Sequence, residues 1–254
     1  EWLDSQSIET TKWSELGPGT PSYLFVPYDR ALEVVYQQYP SVPDIFPVNS
    51  VGIVTARDKL TIGWSAEEIW QRVRTFSQMD PELARQAFSL GKDVRDWKVE
   101  LAQKDLLNSG PHREKVVPVL YRPFDIRHTY YTGHSRGFLC MPRPEVMGHM
   151  LAGENLAITI PKQHKDEFGA FLASCIGTHK SVAAYDINYY FPLYLYPTTG
   201  RENLFSHMES ADPQPNLHPE LTALFTKAHE HQPSPEQIFH YIYGVLYAPT
   251  YREK

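Results

Sequence analysis

Two kinds of hydrophobic pattern divide the chain. Between positions 65 and 110, apolar residues recur at intervals of three and four, which is typical of amphipathic helices. From position 116 the pattern changes to short runs of β-branched and aromatic residues separated by proline and glycine, which predicts strands. The predicted strands are Val116 to Tyr121, Ile126 to Tyr131, Leu156 to Ile160 and Tyr189 to Tyr196. The chain is therefore predicted to be α+β, with a mixed, largely antiparallel sheet.

Capping signals predict where the helices begin. Ser65-Ala-Glu-Glu68 and Ser234-Pro-Glu-Gln237 match the capping box, in which two side chains satisfy backbone N–H groups of the first helical turn. Asp80 before Pro81 predicts another start, and Asp93 a further one. The residues predicted to face the core are, helix by helix, Ile69, Val73 and Phe76; Leu83, Ala87 and Leu90; Val94, Trp97 and Leu101; and Ile238, Ile242 and Val245.

These patterns predict four segments within one structural unit. Residues 1–64 form an extended segment with short strands, of which Tyr23 to Val26 is the best, and a helix from Asp29 towards Tyr39. Residues 65–110 form a short-helix subdomain, and residues 111–211 a strand-rich core. Residues 212–254 comprise a proline-rich linker and a C-terminal helix.

Composition narrows the class of protein. The chain has 254 residues, 42% of them hydrophobic, which is enough to form a large core without disulfides, and its two cysteines cannot build a disulfide framework. Its apolar runs fall short of the ~18 residues of a membrane span, so no membrane partner is expected. It begins at Glu1 without an initiator methionine or a signal pattern, so we expect a piece of a longer polypeptide.

Charge is distributed unevenly along the chain. The formal net charge of −6 by itself argues against a nucleic-acid partner. Residues 116–180, however, carry seven basic and five acidic side chains and five of the eleven histidines, whereas residues 1–50 carry two basic and seven acidic ones. A phosphate-binding face needs only local positive charge, so the middle of the chain keeps that option open, alongside ordinary solvated surface.

Catalytic and metal-binding patterns give little support to an enzyme. Gly133-His-Ser-Arg-Gly137 matches the nucleophile-elbow pattern of serine hydrolases, but Pro142 and Pro144 follow where a helix must begin. Asp186 with His207 or His240 could complete a triad only by free choice. The sequence shows no metal-ligand spacing, P-loop or dinucleotide fingerprint, so we expect no metal and no cofactor in this chain.

What remains is arginine and lysine interleaved with aromatic residues in predicted loops and at strand ends. Arginine can bind guanine edges bidentately, and lysine supplies a point charge for phosphates. Arg57-Asp58 and Asp125 with Arg127 could equally be internal ion pairs that hold turns together, and the sequence leaves both readings open.

Several motifs in one order resemble a known family, the C-terminal specificity domain of Type ISP restriction–modification enzymes and their Type IIG-like relatives. The resemblance spans nearly the whole chain. It rests on the stretches 52–58, 121–127 (Tyr-Arg-Pro-Phe-Asp-Ile-Arg) with Tyr130-Tyr131, 142–147, 155–157, 191–196, 235–243 and 248–252. Where relatives commonly carry Arg-Gln, this chain has Lys162-Gln163, and lysine lacks the planar fork used for base recognition.

The resemblance implies a cytoplasmic domain that reads a short site in double-stranded DNA for an attached adenine-N6 methyltransferase, which flips its target adenine out of the helix. S-adenosylmethionine would bind upstream, since this chain lacks Asn-Pro-Pro-Tyr/Phe and a Gly-rich cofactor motif. Methyltransferase, helicase or nuclease domains of the same polypeptide would be its protein partners. The candidate DNA contacts are Arg57, Lys59, Arg122, Arg127, Arg136, Lys162, Lys165 and Lys180, flanked by Tyr130 and Tyr131.

Two other functions fit the sequence. An interaction module would dock the methyltransferase to motor or nuclease parts through its acidic ends, and would expose a sizeable apolar patch without binding DNA. A serine hydrolase built on Ser135 is the third and weakest alternative.

Overall fold

The computed structural model describes residues 2–16, 29–163, 169–183, 185–197, 212–229 and 231–252. They fall into two compact units, Glu1–Ser41 and Val42–Lys254. The first unit contains helix α1, Arg30–Tyr36, where the Asp29 carboxylate caps the N–H groups of Ala31 and Leu32 at 2.8 and 3.3 Å, as the sequence predicts. The strand predicted at 23–26 lies outside the described residues.

The second unit holds the helices and strands that carry the candidate contacts. Its first half contains α2 (Val42–Ile45), β1 (Ser50–Val51), α3 (Asp58–Thr61), α4 (Ala66–Gln78), α5 (Pro81–Ala87), α6 (Val99–Ser109), β2 (Val116–Arg122), β3 (Asp125–Tyr130) and α7 (Pro144–Leu151). Its second half contains β4 (Ala157–Pro161), β5 (Phe171–Ala173), β6 (Ile176–Gly177), β7 (Asn188–Pro192), β8 (Tyr194–Leu195), β9 (Gln214–Pro215), α8 (Pro219–His229), α9 (Pro235–Tyr247) and α10 (Pro249–Arg252). Among the described helices, none is long and apolar enough to cross a membrane.

The strands form a mixed, mainly antiparallel arrangement, which confirms the predicted α+β class. A four-stranded sheet has the order β1-β7-β4-β5, with every pair antiparallel. A three-stranded sheet, β3-β2-β6, joins the antiparallel β2–β3 hairpin to a parallel β6. The strand predicted over 189–196 is interrupted at Leu193, after which β8 pairs with β9 instead.

The four-stranded sheet separates two hydrophobic cores. Because side chains alternate along a strand, Ala157 and Tyr190 face the larger core, and Ile158 and Phe191 face the smaller one. Helices α4 and α6 cover the larger core, and α9 covers the smaller one. Each core is fully enclosed at its centre, where Trp97 and Phe239 have no exposed surface.

The two predicted capping boxes form to different extents. In α9, the Gln237 N–H binds Ser234 Oγ at 3.2 Å and the Ser234 N–H binds Gln237 Oε1 at 2.8 Å, so the box is complete. In α4, Ser65 Oγ accepts from the Glu68 N–H, but Glu68 Oε2 accepts from the Trp64 N–H at 2.7 Å. That hydrogen bond holds the backbone of Trp64, whose ring stacks on Arg127 at the candidate site.

The predicted inner face of α5 is wrong. Leu83 is 58% exposed and Ala87 is exposed, while Ala84 is the buried residue of this helix. The helix ends at Ala87, and Ser89 then adopts a left-handed φ of 51°. This turn brings Leu90 into the core independently of the helical period, so the 83/87/90 spacing does not describe one face.

The helix predicted to start after Asp93 begins later, at Val99. Residues Val94 and Trp97 pair through their backbones instead, with N···O distances of 3.0 and 3.3 Å. The Asp93 carboxylate still accepts the Val99 N–H at 3.2 Å, so it caps the helix from across this turn. Trp97 is buried as predicted, whereas Val94 and Leu101 are partly exposed.

Candidate nucleic-acid interface

The turn that precedes α3 connects two groups of candidate residues. Ala56 has a left-handed φ of 62°, and the Thr55 hydroxyl donates to the Asp58 carboxylate. Tyr121 Oη donates to the second oxygen of Asp58 at 2.8 Å, which fastens this turn to the β2–β3 hairpin. Asp58 therefore accepts hydrogen bonds from two hydroxyl groups rather than forming an ion pair with Arg57, contrary to one of the two alternatives that the sequence left open.

The Arg57 side chain extends towards Trp97 rather than towards Asp58. Its guanidinium lies 4.9 Å from the Trp97 ring centroid and donates to the carbonyl groups of Ala56 and Lys92, each at 2.9 Å. A guanidinium stacked on a buried tryptophan and bonded to two carbonyls is fixed in orientation. Lys59, two residues further on α3, is exposed.

The hairpin carries a stack of alternating aromatic and guanidinium groups, which we call the Tyr121 cluster: Trp64, Arg127, Tyr121 and Arg122. The Arg127 guanidinium lies 3.8 Å from the Trp64 centroid and 4.3 Å from the Tyr121 centroid. Arg122 lies 4.1 Å from the same tyrosine centroid and donates to the carbonyl of Lys180 at 3.2 Å. The cluster thus brings together the predicted contacts Arg122, Arg127 and Lys180.

Arg127 also forms the local ion pair that the sequence left open. Its Nη2 lies 2.8 Å from Asp125 Oδ2, and its Nε donates to both carboxylate oxygens. This hydrogen bond to Asp125 raises the pKa of the guanidinium. Arg127 is thus held both by Asp125 and by two aromatic rings, and its side chain remains 21% exposed.

A second group surrounds a surface cleft of about 350 Å³, which we call the arginine cleft. Its walls include Arg95, Asp96, Arg136, Arg143 and Glu145. Arg136 and Arg143 both have left-handed backbones, with φ of 59° and 56°. Arg95 Nη2 binds Asp96 Oδ2 at 2.7 Å, and this guanidinium lowers the pKa of the Asp96 carboxyl. Three guanidinium groups and two carboxylates therefore meet in one depression.

A buried carboxylate positions the loop that bears Arg136. Asp105 accepts from the Phe138 N–H and the Thr132 hydroxyl, each at 2.8 Å, and lies 2.9 Å from His134 Nδ1. A Cβ at Gly137 would collide with Asp105 Oδ2, so only glycine fits where the loop passes the carboxylate. The Gly-rich stretch 133–137 thus serves close packing, which sets the direction of Arg136.

The nucleophile-elbow alternative at Ser135 does not match the structure. The motif needs a helix directly behind the serine, but residues 135–140 form turns and bends, and α7 starts only at Pro144. Within the described residues, no group of three or more His, Cys, Asp or Glu side chains is arranged to hold a metal ion.

The two flanking tyrosines serve different purposes. Tyr130 has no exposed surface, and its hydroxyl bonds the Gly110 carbonyl at 2.9 Å and the His112 N–H at 3.1 Å, so it is a core residue. Tyr131 is half-buried beside the arginine cleft, where its hydroxyl donates to the Pro142 carbonyl at 3.2 Å. Burial, followed by the nearby Glu145 charge, raises the pKa of Tyr131. We leave Tyr130 out of the interface because its surface is inaccessible.

Of the remaining lysines, one lies apart from these groups, one adjoins the Tyr121 cluster and one lies outside the described residues. Lys162 follows β4, is exposed, and donates its N–H to the Ile187 carbonyl at 2.8 Å. Lys180 is half-buried, and its carbonyl joins it to Arg122. Lys165 lies outside the described residues.

Trp64, Arg95 and Arg143 are among the residues of these groups that were not sequence-based candidates. Trp64 precedes the capping serine, where its 71% exposure could not be anticipated from the pattern. Arg95 lies in the turn that the sequence pattern predicts to be helical. Arg143 stands between two prolines in 142–144, a position that favours a fixed backbone and was the available signal.

One family model matches most of the chain, and several solved structures share its fold. A family model described as the Type ISP C-terminal specificity domain matches residues 44–254. A comparison with curated protein sequences finds no match. The chain is similar in structure to the DrdV–DNA complex determined by cryo-electron microscopy, with a TM-score of 0.69 and 21% identity, over 100% of this chain and 26% of that one.

Two further solved structures share the fold. One is a nuclease-deletion mutant of the Type ISP restriction–modification enzyme LlaGI in complex with a DNA substrate mimic, with a TM-score of 0.63 and 17% identity over 99% of this chain and 23% of that one. The other is the ATP-dependent Type ISP restriction–modification enzyme LlaBIII bound to DNA, with a TM-score of 0.57 and 18% identity over 82% of this chain and 13% of that one. This chain thus spans about a quarter or less of the length of these relatives.

Proposed function

Because this chain belongs to the Type ISP C-terminal specificity domain family, we propose that it recognises a short sequence in double-stranded DNA and directs an attached adenine-N6 methyltransferase to that site. The observation that carries this proposal is a set of arginines on the β2–β3 hairpin and in the nearby loops. The guanidinium groups of Arg122 and Arg127 are fixed by stacking on Tyr121, and Arg136 and Arg143 lie at backbone positions held in a left-handed conformation.

Fixed guanidinium groups suit base recognition. A bidentate contact to a guanine edge requires the fork to lie in the plane of the base, and pre-ordering reduces the entropy lost on binding. Lysines provide charge without this geometry, so we assign Lys59, Lys162 and Lys180 to phosphates. The negative net charge of the whole chain does not oppose this assignment, because the field at the DNA depends on the side chains nearest to it.

The test is the binding of this chain to a mixed-sequence duplex of ~30 base pairs, followed by fluorescence anisotropy over a series of salt concentrations. We expect the logarithm of the affinity to fall linearly with the logarithm of salt, with a slope of about −0.9 for each neutralised phosphate. Selection from a randomised duplex library should then yield one consensus sequence. Salt-independent binding, or enrichment without a consensus, would contradict the proposed function.

The proposal places methyl transfer in another part of the enzyme. The chain has neither an Asn-Pro-Pro-Tyr/Phe sequence nor a Gly-x-Gly-x-x-Gly loop, so we assign S-adenosylmethionine binding to the methyltransferase domain that this domain would serve. The supporting similarity is to restriction–modification enzymes much longer than this chain. We place the complex in the cytoplasm, where prokaryotic DNA is found.

A docking role is a second proposal for residues 2–41 alone. This unit exposes large apolar side chains, among them Trp2, Trp13, Leu32, Val34 and Tyr36, which are 59–70% exposed. Exposed apolar residues grouped in one small unit are typical of an interaction surface. We propose that they contact the methyltransferase domain of the same enzyme. Protection of the 30–36 amides from hydrogen exchange, when the methyltransferase domain is added in trans, would support this role, and unchanged exchange would contradict it.

A further inference from the structure

The guanidinium group of Arg143 has fewer hydrogen bonds than its burial requires. Its Nε is buried, and among the described residues it has no hydrogen-bond partner. Within the same part of the chain, its Nη2 donates only to the thioether sulfur of Met141, at 3.4 Å, and a thioether is a weak acceptor. By contrast, Arg127 binds a carboxylate and Arg122 binds carbonyl groups. Arg143 therefore lines the arginine cleft with a guanidinium group whose buried Nε is unpartnered and whose Nη2 is only weakly bonded.

The backbone keeps Arg143 in this position. Its φ and ψ of 56° and 55° are left-handed, which is unfavourable for a side chain with a Cβ. The position is nevertheless fixed, because the Arg143 carbonyl accepts the N–H groups of Val146 and Met147 at 3.1 and 2.8 Å at the start of α7. Strain that is retained in a rigid surface loop is typical of functional sites.

Arg136, on the opposite end of the same loop, shares this conformation. Its φ is 59°, and its N–H binds the Cys140 carbonyl at 2.9 Å, which closes the loop upon itself. Its side chain is 66% exposed and lies 3.9 Å from Asp96. The loop is anchored between these two arginines by the Val54–Met141 bridge. The backbone is therefore held at both arginines, and both side chains line the cleft.

The charges around the cleft distinguish two ligands that offer paired acceptors. A phosphate carries negative charge and no donor, so it could use the three arginines but would leave the carboxylates of Asp96 and Glu145 without a partner. A guanine edge is neutral and offers O6 and N7 as adjacent acceptors in the major groove. The paired cytosine offers an N4 amino donor, which a carboxylate at the rim can accept. The mixed charge of the cleft therefore favours a G·C edge over a bare phosphate.

We propose that Arg143 is a specificity-determining residue, which reads a guanine edge in the DNA site from within the cleft, while the largely exposed side chains of Arg136 and Arg95 contact the flanking backbone from its rim. This inference rests on the proposed function, since it presumes that the chain binds duplex DNA. It assigns a role to Arg143 and Arg95 that the sequence motifs did not.

The test compares the unaltered 254-residue chain with Arg143→Lys and Arg143→Asn in selection from a randomised duplex library. Lysine keeps the charge but loses the fork, whereas asparagine tolerates the left-handed backbone and prefers adenine edges. Arg113→Lys is the matched control, because Arg113 is an exposed arginine paired with Glu67 outside the cleft.

We expect Arg143→Lys to lose discrimination at one G·C position by about tenfold and to keep the rest of the consensus. Arg143→Asn should lose the preference for guanine at that same position, and Arg113→Lys should select the full consensus. If both Arg143 variants keep the consensus and lose affinity equally for all sequences, the guanine assignment is overturned while DNA recognition stands. If the unaltered chain binds no duplex, the proposed function fails and this inference fails with it.

Discussion

The guanidinium carbon of Arg127 lies 3.8 Å from the centroid of the Trp64 ring. The backbone N–H of the tryptophan donates to the Glu68 carboxylate, and the guanidinium of the arginine is held by the Asp125 carboxylate. Helix α4 and the β2–β3 hairpin are thereby joined at the surface by one cation–π contact, next to the residues proposed to meet DNA.

A double-mutant cycle should detect this contact as coupling in stability. We expect Trp64→Ala and Arg127→Ala to show an interaction energy of about 0.5–1 kcal/mol in urea unfolding, because the contact is partly exposed. Trp70 and Arg74 provide the comparison, since their separation of 6.0 Å should give a smaller coupling. Equal coupling energies for the two pairs would show that stacking is not the cause.

Replacing Gly137 should be costly for stability. A Cβ there would run into the Asp105 carboxylate, which holds the loop through three contacts. We expect Gly137→Ala to lower the free energy of unfolding by about 2–4 kcal/mol, through overpacking and broken hydrogen bonds.

Gly148→Ala is the matched control for that experiment. Gly148 lies within α7, and a methyl group added there would meet no neighbouring atom within 4 Å. Alanine should therefore raise the free energy of unfolding by about 0.5–1 kcal/mol through its helix propensity. A Gly137→Ala protein as stable as the control would contradict the proposed packing against Asp105.

Stability should fall on mild acidification because of partly buried histidines. Burial lowers the pKa of His149, whose Nδ1 accepts the Tyr196 N–H at 3.0 Å, and burial likewise lowers the pKa of His179. Below the unfolded pKa of about 6.5 the unfolded chain takes up protons that the folded chain does not. The stabilisation is therefore complete above that pH and declines as the pH falls from there through the lower folded pKa.

His149→Asn tests this directly, because the asparagine oxygen can accept the same N–H without titrating. We expect the free energy of unfolding, measured between pH 7 and pH 5, to depend less steeply on pH in this variant than in the unaltered chain. An unchanged dependence would mean that the titration of His149 does not contribute.

Removing a phosphate contact should weaken binding to all DNA sequences alike. Lys59→Ala and Lys162→Ala should each reduce the steepness of the salt dependence by about 0.9 in the logarithmic slope. Lys227→Ala, an exposed lysine on α8 away from the proposed contacts, should leave the slope unchanged. A change in the consensus sequence, rather than in the slope, would reassign the lysine concerned to base recognition.

The sequence predicted the class of fold and the family well, because both depend on patterns repeated over many residues. Ser234 and Asp80 lie at helix starts as predicted, and β2 and β3 lie within one residue of their predicted bounds. The inner face of α5 was not predictable, because the left-handed turn at Ser89 leaves no hydrophobic period. The predicted domain boundaries and DNA contacts stay predictions.

The candidate site was only partly visible in the sequence, for a physical reason. The sequence identifies which residues are arginines but not which neighbours satisfy their donors. Arg57 and Arg127 were equivalent candidates beside an aspartate, yet only Arg127 pairs with its aspartate. Arg143 combines a left-handed backbone angle with a buried, unpartnered Nε, and both features follow from tertiary contacts.

During synthesis, the fold around the candidate DNA-binding surface is completed only after β7 has been made and can pair with β1. Ser50 pairs with Tyr190, so a ribosome that adds roughly 5–20 residues per second needs on the order of ten seconds to supply the partner strand. Helices α4 to α6 make local contacts and can form during that interval. Arg122 gains its bond to the Lys180 carbonyl only when the later segment arrives. A nascent chain would therefore carry folded helices α4 to α6 well before the proposed DNA-binding surface is complete.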